Sequence, residues 1–145
     1  MQNNMRVESI TSAQNPKIKD LLALQEKSKE RRKKGLFVVE GRRELLHCVE
    51  AGYRPHTVFF CPEIISTGDF DEIADRCDCN YIEVPQHLYD KVAYRGGTEG
   101  VIAELHCKDM NLHIFHTQIG RPIPHMSKEF HNNRNLLNMF QFLPL

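Results

Sequence analysis

Apolar positions in this chain fall into short continuous runs separated by stretches with helical periodicity. Four runs rich in strand-forming side chains occupy residues 36–39, 57–60, 81–84 and 100–103, and each is too short for a helix. One helical segment separates each run from the next, so the connections are too long for hairpins. The pattern predicts an α/β fold, a sandwich of two or three layers around a four-stranded parallel or mixed sheet with alternating helices.

The first helix is predicted over residues 16–34. Asn15 followed by Pro16 is typical of an N-cap with proline at the first helical position. At the other end, four basic residues face the negative end of the helix dipole, and Gly35 can take the left-handed conformation that ends a helix. Side chains at i, i+3, i+4 and i+7 form one buried stripe, which comprises Ile18, Leu21, Leu22 and Gln25.

Three more helices follow from the same periodicity. One covers about residues 42–51 and ends at Gly52, and a short one covers residues 85–92. Asp69 can cap the helix between them. Its apolar stripe comprises Phe70, Ile73, Ala74 and Cys77.

The two ends of the chain differ from the region between them. Residues 1–14 are polar and without a period, which predicts a mobile or loosely docked arm. Residues 15–106 are expected to form one domain. Residues 107–145 contain two acidic residues and four of the eight histidines, with no sustained period, so this tail is expected to be disordered or atypically packed.

Charge is distributed unevenly, although the whole chain of 145 residues has a formal net charge of zero. Between Lys17 and Arg43 there are ten basic and four acidic residues. Such a concentration is the usual signature of a site for a polyanion. A protein with no signal peptide, no apolar run of membrane-spanning length and five scattered cysteines is expected to be cytoplasmic and reduced.

The densest part of this charge, Arg31-Arg32-Lys33-Lys34, has two explanations that composition alone does not separate. These side chains could neutralise phosphates, with arginine adding bidentate contacts. They could equally be a solvated helix end with favourable dipole placement. Arg42 and Arg43 favour phosphate binding, because they begin a helix, where the dipole prefers an anion and not a cation.

A second candidate lies in Tyr94-Arg95-Gly96-Gly97-Thr98-Glu99-Gly100. Glycines allow a ligand to approach the backbone closely, Tyr94 could stack on a base, and Arg95 could hold phosphate or a base edge. The alternative is a turn with a left-handed residue, and the glycine spacing matches neither a Walker nor a dinucleotide motif. No catalytic pair appears, and Cys77-Asp78-Cys79 is better explained as core than as a metal site.

Three segments in this order resemble the N-terminal part of the SpoU/TrmH family of RNA ribose methyltransferases: Ser12–Lys19, Arg31–Leu45 and Lys91–Ala103. The resemblance covers about residues 8–106. It implies a small domain, folded like a ribosomal-protein α/β sandwich, that recruits ribosomal or transfer RNA. In that family a second, knotted SPOUT domain binds S-adenosylmethionine and methylates a ribose 2′-hydroxyl, usually as a dimer.

The resemblance assigns RNA contact to basic and polar residues of these segments. It assigns a catalytic role to none of them. The residues are Asn15, Lys17, Arg31, Arg32, Arg42, Arg43 and Arg95, and the basic cluster adds Lys33 and Lys34 as further RNA contacts. The family's arginine-bearing Asn-x-Gly segment, its glycine-rich cofactor loops and its Ser-x-Asn stretch have no counterpart in residues 107–145. No catalytic, cofactor or metal residue is therefore predicted, and no knotted domain.

The sequence leaves three hypotheses open. The chain is an RNA-recognition domain inactive alone, or it is active when paired with a separate SPOUT chain, or it is a ribosome-associated RNA-binding module in its own right. The tail is further predicted to be a truncated or frame-shifted remnant of the linker and the start of the knotted domain. The other two reading frames of the gene test this, because an Asn-x-Gly segment should appear in one of them.

Overall fold

The computed structural model describes residues 5–94 and 99–108. Five strands and five helices are described in these two ranges. In chain order they are β1 Val7–Ser9, α1 Pro16–Glu26, α2 Ser28–Lys34, β2 Leu36–Glu40, α3 Arg42–Glu50, β3 Pro55–Phe60, α4 Thr67–Arg76, β4 Asn80–Glu83, α5 Gln86–Val92 and β5 Val101–His106.

The strands form one mixed sheet in the order β1-β4-β3-β5-β2. β1 pairs parallel with β4, and β4 parallel with β3. β5 runs antiparallel to both of its neighbours, β3 and β2. Four strands, β1, β2, β3 and β4, therefore begin at the same end of the sheet, which we call the amino edge. They finish at the opposite end, which we call the carboxyl edge, and neither name refers to an outermost strand. β5 runs the other way. The predicted α/β class is confirmed.

The two faces of the sheet are both covered, giving three layers. Helices α3 and α4 cover one face, where Phe37 and Val39 of β2 point into the core. Helices α1 and α5 cover the other, where Leu36 and Val38 point. This alternation explains why β2 reads as a continuous apolar run, since a strand buried on both faces has no polar side.

The strand count was predicted wrongly, because the polar arm supplies a fifth strand. Val7 to Ser9 pairs in register with Tyr81 to Glu83. All three side chains of β1 are exposed, so no alternation marks the strand in the sequence. Ile10 immediately after it is 3% exposed and anchors the arm in the core. Residues 7–9 of the arm predicted to be mobile or loosely docked therefore form one of the two edge strands of the described sheet.

The single helix predicted over residues 16–34 is also wrong, since the chain breaks at Lys27. This residue has φ −117° and ψ 110°, which is extended backbone between α1 and α2. Both predicted ends are nevertheless confirmed: the Asn15 side chain accepts from the N–H of Lys17, and Gly35 has φ 65°. Leu24 takes the buried place predicted for Leu22, which is only partly buried.

The start of α4 was misplaced by a few residues. Ser66 is its N-cap, and the hydroxyl of Ser66 accepts from the N–H of Asp69 at 3.2 Å. Asp69, predicted to be the cap, lies in the first turn, where a carboxylate also suits the helix dipole. Most of the predicted tail, residues 109–145, lies outside the described residues.

Candidate functional site

The two loops singled out by the sequence meet at the carboxyl edge of the sheet. Gly41, just after β2, donates its N–H to the carbonyl of Val101 at 2.9 Å. The Glu40 carboxylate accepts from the N–H of Tyr94 and from the Gln25 side chain of α1, the latter at 3.4 Å. Tyr94 is 66% exposed at this point. Glu40 therefore fixes the residue from which the loop 94–100 departs.

The other end of the same loop supplies an anion to the start of α3. The Glu99 carboxylate accepts from the N–H groups of Arg42 at 2.6 Å and Arg43 at 3.3 Å. A negative charge at this position complements the dipole and satisfies N–H groups that the helix leaves without partners. The anion that a helix start calls for is thus already provided by the chain itself.

The Arg42 guanidinium is likewise paired with carboxylates within the fold. Its Nε lies 3.3 Å from Asp69 and its Nη2 lies 2.6 Å from Glu72, both on α4. Arg42 therefore ties α3 to α4 across one face of the sheet. Arg43 differs, because its side chain is exposed and forms no ion pair with any residue in the described ranges. Of the two arginines, only Arg43 is available to a ligand.

Arg31 was predicted to contact a ligand, and the structure places it in the interior. Its side chain is 6% exposed, and Nη1 donates to the carbonyls of Leu24 at 2.7 Å and Gln25 at 3.2 Å. These are two of the carbonyls that the end of α1 leaves unsatisfied. Burial lowers the pKa of Arg31, and the charge of Arg32 acts in the same direction. Arg31 therefore caps α1 where the predicted long helix breaks.

The three residues after Arg31 point outward at the amino edge. Arg32, Lys33 and Lys34 are exposed, and Lys34 pairs with Asp20 at 3.1 Å. Within the described ranges Arg32 and Lys33 have no carboxylate partner. The end of α2 therefore offers two unpaired cations, and a third in a surface pair that contributes little energy and exchanges easily.

Asn15 and Lys17 lie at the beginning of α1, about one turn before Asp20, which pairs with Lys34. The Asn15 Oδ1 accepts from the N–H of Lys17 at 2.9 Å, so it closes the first turn of the helix. Lys17 is exposed and pairs with Glu8 of β1. Arg95, the last predicted contact, lies outside the described residues.

The predicted residues are therefore not gathered at one point. Lys34 precedes β2 and Arg42 follows it, and this strand of five residues is about 17 Å long at 3.4 Å per residue. The structure adds Glu40 and Glu99, which position the carboxyl-edge loops and were not predicted. A carboxylate directly beside a glycine at a strand end is the sequence signal that could have found both.

Three of the five cysteines, Cys48, Cys61 and Cys77, are buried in the core, and Cys79 and Cys107 are partly buried. Cys77 is 3% exposed, and burial raises its pKa to about 11. Burial also raises the pKa of Cys79 to about 12. Across residues 5–94 and 99–108, no three or more His, Cys, Asp or Glu side chains are grouped so that they could hold a metal ion. No helix within these ranges is long and apolar enough to cross a membrane.

The described part of the chain is a three-layer α/β domain with exposed cations at one end of a helix. The family comparison is more specific. Residues 15–103 match the model of the MRM3-like substrate binding domain, and the chain belongs to that family.

Three solved structures with a similar fold are described as RNA methyltransferases. A protein described as an RNA 2′-O ribose methyltransferase is 26% identical with a TM-score of 0.62, over 72% of this chain and 39% of its own. The rRNA methyltransferase of Sinorhizobium meliloti is 23% identical with a TM-score of 0.55, over 69% and 37%. The SpoU methyltransferase AviRb of Streptomyces viridochromogenes is 21% identical with a TM-score of 0.56, over 69% and 36%.

The last two likenesses concern the fold alone. This chain spans well under half of each of these proteins. The comparison with curated protein sequences gave no match.

Proposed function

We propose that residues 15–103 bind the RNA substrate of an S-adenosylmethionine-dependent RNA 2′-O-ribose methyltransferase that acts in the cytoplasm on ribosomal or transfer RNA. The observation that carries this proposal is the match of these residues to a substrate-binding domain. The 26% identity to an RNA 2′-O ribose methyltransferase supports the same substrate class. In this proposal the described residues hold RNA and do not transfer the methyl group.

The two described glycines of these loops, Gly41 and Gly100, support this division, because neither leaves open space beside the backbone for a cofactor. A nucleotide-like cofactor needs glycines whose open Cβ positions let it approach the backbone. Gly41 is closed by the side chain of Glu44, and a Cβ at Gly100 would lie 2.7 Å from the backbone nitrogen of Ile65. We therefore assign no residue of these loops to S-adenosylmethionine. We also assign none of them to dimerisation, which the resemblance implies for the family.

The RNA contacts we propose are the exposed cations, with the end of α2 as their centre. Arg32 and Lys33 are unpaired within the described ranges, and Lys34 can leave Asp20 for a phosphate. Arg43 is a secondary contact at the carboxyl edge, and Asn15 and Lys17 are flanking contacts at the start of α1. Arg95, which lies outside the described residues, is proposed as a further contact. Arg31 and Arg42 are positioning residues, since their guanidinium groups are bound within the fold.

Binding of a fluorescein-labelled RNA stem–loop, followed by anisotropy across a salt series, tests the proposal on the whole chain. The variants Arg32→Glu and Lys33→Glu should each weaken binding about fivefold and reduce the slope of log K against log salt by about 1, because one phosphate contact is lost. Lys91→Glu is the matched control, since Lys91 is exposed on α5. Absence of binding at low salt, or equal effects of all three variants, would contradict the proposal.

A further inference from the structure

A groove of about 1020 Å³ opens at the amino edge of the sheet, on the side away from Arg43 and Tyr94. It runs along the starts of β1, β3 and β4 and the end of β5. Arg54, His56 and His106 form part of its lining, and Arg6 lies across from them. None of these residues belongs to the contacts predicted from the sequence.

Backbone hydrogen bonds join this groove to the basic end of α2. Cys107 donates to the carbonyl of Gly35 at 2.8 Å, directly after Lys34. His106 donates to the carbonyl of Arg54 at 2.9 Å. The strands β2, β5 and β3 are neighbours in that order along the amino edge. The cations therefore follow in the same order, from the end of α2 to Lys108 after β5 and then to Arg54 before β3. Neighbouring strands are about 4.8 Å apart, so these positions follow one another within about 10 Å.

The cations on this path are exposed, and one of them is held in place. The Lys108 ammonium donates to the carbonyl of Ala51 at the end of α3 and lies 4.6 Å from the centre of the Tyr53 ring. Arg54 is exposed and has no ion pair with any described residue. Arg54 is therefore open to an anion that contacts Arg32 and Lys33, and the exposed Lys108 ammonium can add such a contact by exchanging its bond to Ala51.

The far half of the groove has the opposite character. Asp75, near the end of α4, and Asp78 line it. The Arg76 guanidinium forms ion pairs with Glu50 at 3.5 Å and Glu72 at 3.7 Å. Asp78 precedes β4, so it stands between Arg54 and Arg6 along the edge. An RNA backbone that extends from the end of α2 would be attracted as far as Arg54 and repelled beyond it by the carboxylates of Asp75 and Asp78.

We propose that Lys108 and Arg54 form a second set of RNA backbone contacts, which continues the basic end of α2 along the amino edge and stops at Asp78. The inference rests on the proposed function, because it extends the same RNA. It assigns this edge to phosphates and not to bases, since Lys108 and Arg54 are cations spaced along the strand ends, and the His56 and His106 rings in the groove pack edge-to-face on each other with centroids 5.2 Å apart.

The test uses the whole chain and the same labelled RNA stem–loop in a salt series. Arg54→Glu and Lys108→Glu should each weaken binding about threefold to fivefold and reduce the salt slope by about 1. Asp78→Asn should strengthen binding about twofold, because it removes a repulsive charge near the phosphate path. Lys91→Glu remains the control, and thermal melting of each variant checks that it is folded.

The outcomes separate this inference from the proposed function. Weaker binding by Arg32→Glu together with unchanged binding by Arg54→Glu and Lys108→Glu would overturn the inference and leave the proposed function standing. Unchanged binding by Arg32→Glu, Lys33→Glu, Arg54→Glu and Lys108→Glu alike would overturn both. A loss that appears only with Arg54→Glu and Lys108→Glu would keep the amino edge as the site and remove the end of α2 from it.

Discussion

The two edges of the sheet use arginine and lysine in opposite ways. At the carboxyl edge, Arg42 is bound by Asp69 and Glu72, and the start of α3 is occupied by the Glu99 carboxylate. At the amino edge, Arg32 and Arg54 are exposed and, within the described residues, without a carboxylate partner. The carboxyl edge pairs Arg42 within the fold and exposes only Arg43 of its two described arginines, whereas the amino edge leaves Arg32, Lys33 and Arg54 open to solvent.

The difference shows that a count of basic residues does not locate a polyanion site. Arg31 and Arg32 are neighbours in the chain, yet one is buried against helix carbonyls and the other is exposed. Arg42 and Arg43 differ in the same way. What decides is whether the fold supplies a carbonyl or carboxylate within reach, because a bound guanidinium would have to lose those contacts before it could hold a phosphate.

The largest effect should come from Arg31→Met. This change removes the donor to the carbonyls of Leu24 and Gln25 and leaves them buried without that partner, so the free energy of unfolding should fall by about 3 kcal/mol. Urea denaturation measures it. The control Arg32→Met, at an exposed site, should change stability by less than about 0.5 kcal/mol. Equal effects of the two changes would mean that Arg31 is not the cap of α1.

Gly100→Ala should be the next largest and tests how tightly the carboxyl edge is built. Gly100 has φ 83°, and a Cβ there would lie 2.7 Å from the Ile65 backbone nitrogen. Both the left-handed backbone and the close approach oppose alanine, so we expect a loss of about 2 to 3 kcal/mol.

Gly35→Ala is the matched change at the amino edge. Gly35 also has positive φ, but a Cβ there meets nothing within 4 Å, so only the backbone cost of about 1 kcal/mol should appear. A loss at Gly35 as large as that at Gly100 would show that the tight packing is not particular to the carboxyl edge.

Arg42→Gln and Arg43→Gln should separate positioning from binding within one edge. Arg42→Gln removes the link between α3 and α4 and should lower stability by about 1 kcal/mol with no change in the salt slope for RNA. Arg43→Gln should do the reverse, with unchanged stability and a small decrease in the slope. Denaturation and the anisotropy salt series, made on both variants, check this pairing.

The smallest effect expected is a pH dependence at His56. Its hydrogen bond to the Glu104 carboxylate, at 3.4 Å, raises the pKa of His56 above its usual value, although burial opposes the shift. A raised pKa in the folded state stabilises the fold fully below the unfolded pKa of about 6.5, and this contribution is lost as pH rises through the folded pKa.

The variant His56→Gln provides the measurement. The free energy of unfolding of the natural chain minus that of this variant should be larger near about pH 5.5 than near about pH 8.5. A difference that does not change with pH would mean that His56 gains nothing from Glu104.

The fold was largely predictable because its signals are local. The buried runs, the Asn15 cap and the Gly35 stop each depend on neighbours in the sequence, and all are present. β1 could not be predicted, because its exposed residues are held only by pairing with β4. The break at Lys27 could not be predicted either, because it depends on Arg31 folding back to the carbonyls of Leu24 and Gln25.

The sequence predicted the residue types of the candidate site, but not which of the charged residues remain exposed to a ligand. The sequence indicates which residues are charged, whereas contacts between positions far apart in the chain decide which remain exposed. Glu99 reaches the N–H of Arg42 across 57 positions, and Glu72 reaches the Arg42 side chain across 30. Arg54 was overlooked for the same reason, since only the sheet order places it beside the end of α2.

The central claim is that RNA binds along the amino edge, and a titration of the ¹⁵N-labelled chain with the RNA stem–loop tests it most directly. We predict that the backbone amide signals of Arg32, Lys33, Arg54 and Lys108 shift most, and that those of Arg42 and Tyr94 shift little. The largest shifts at Arg42, Arg43 and Tyr94, with the amino edge unchanged, would contradict the account.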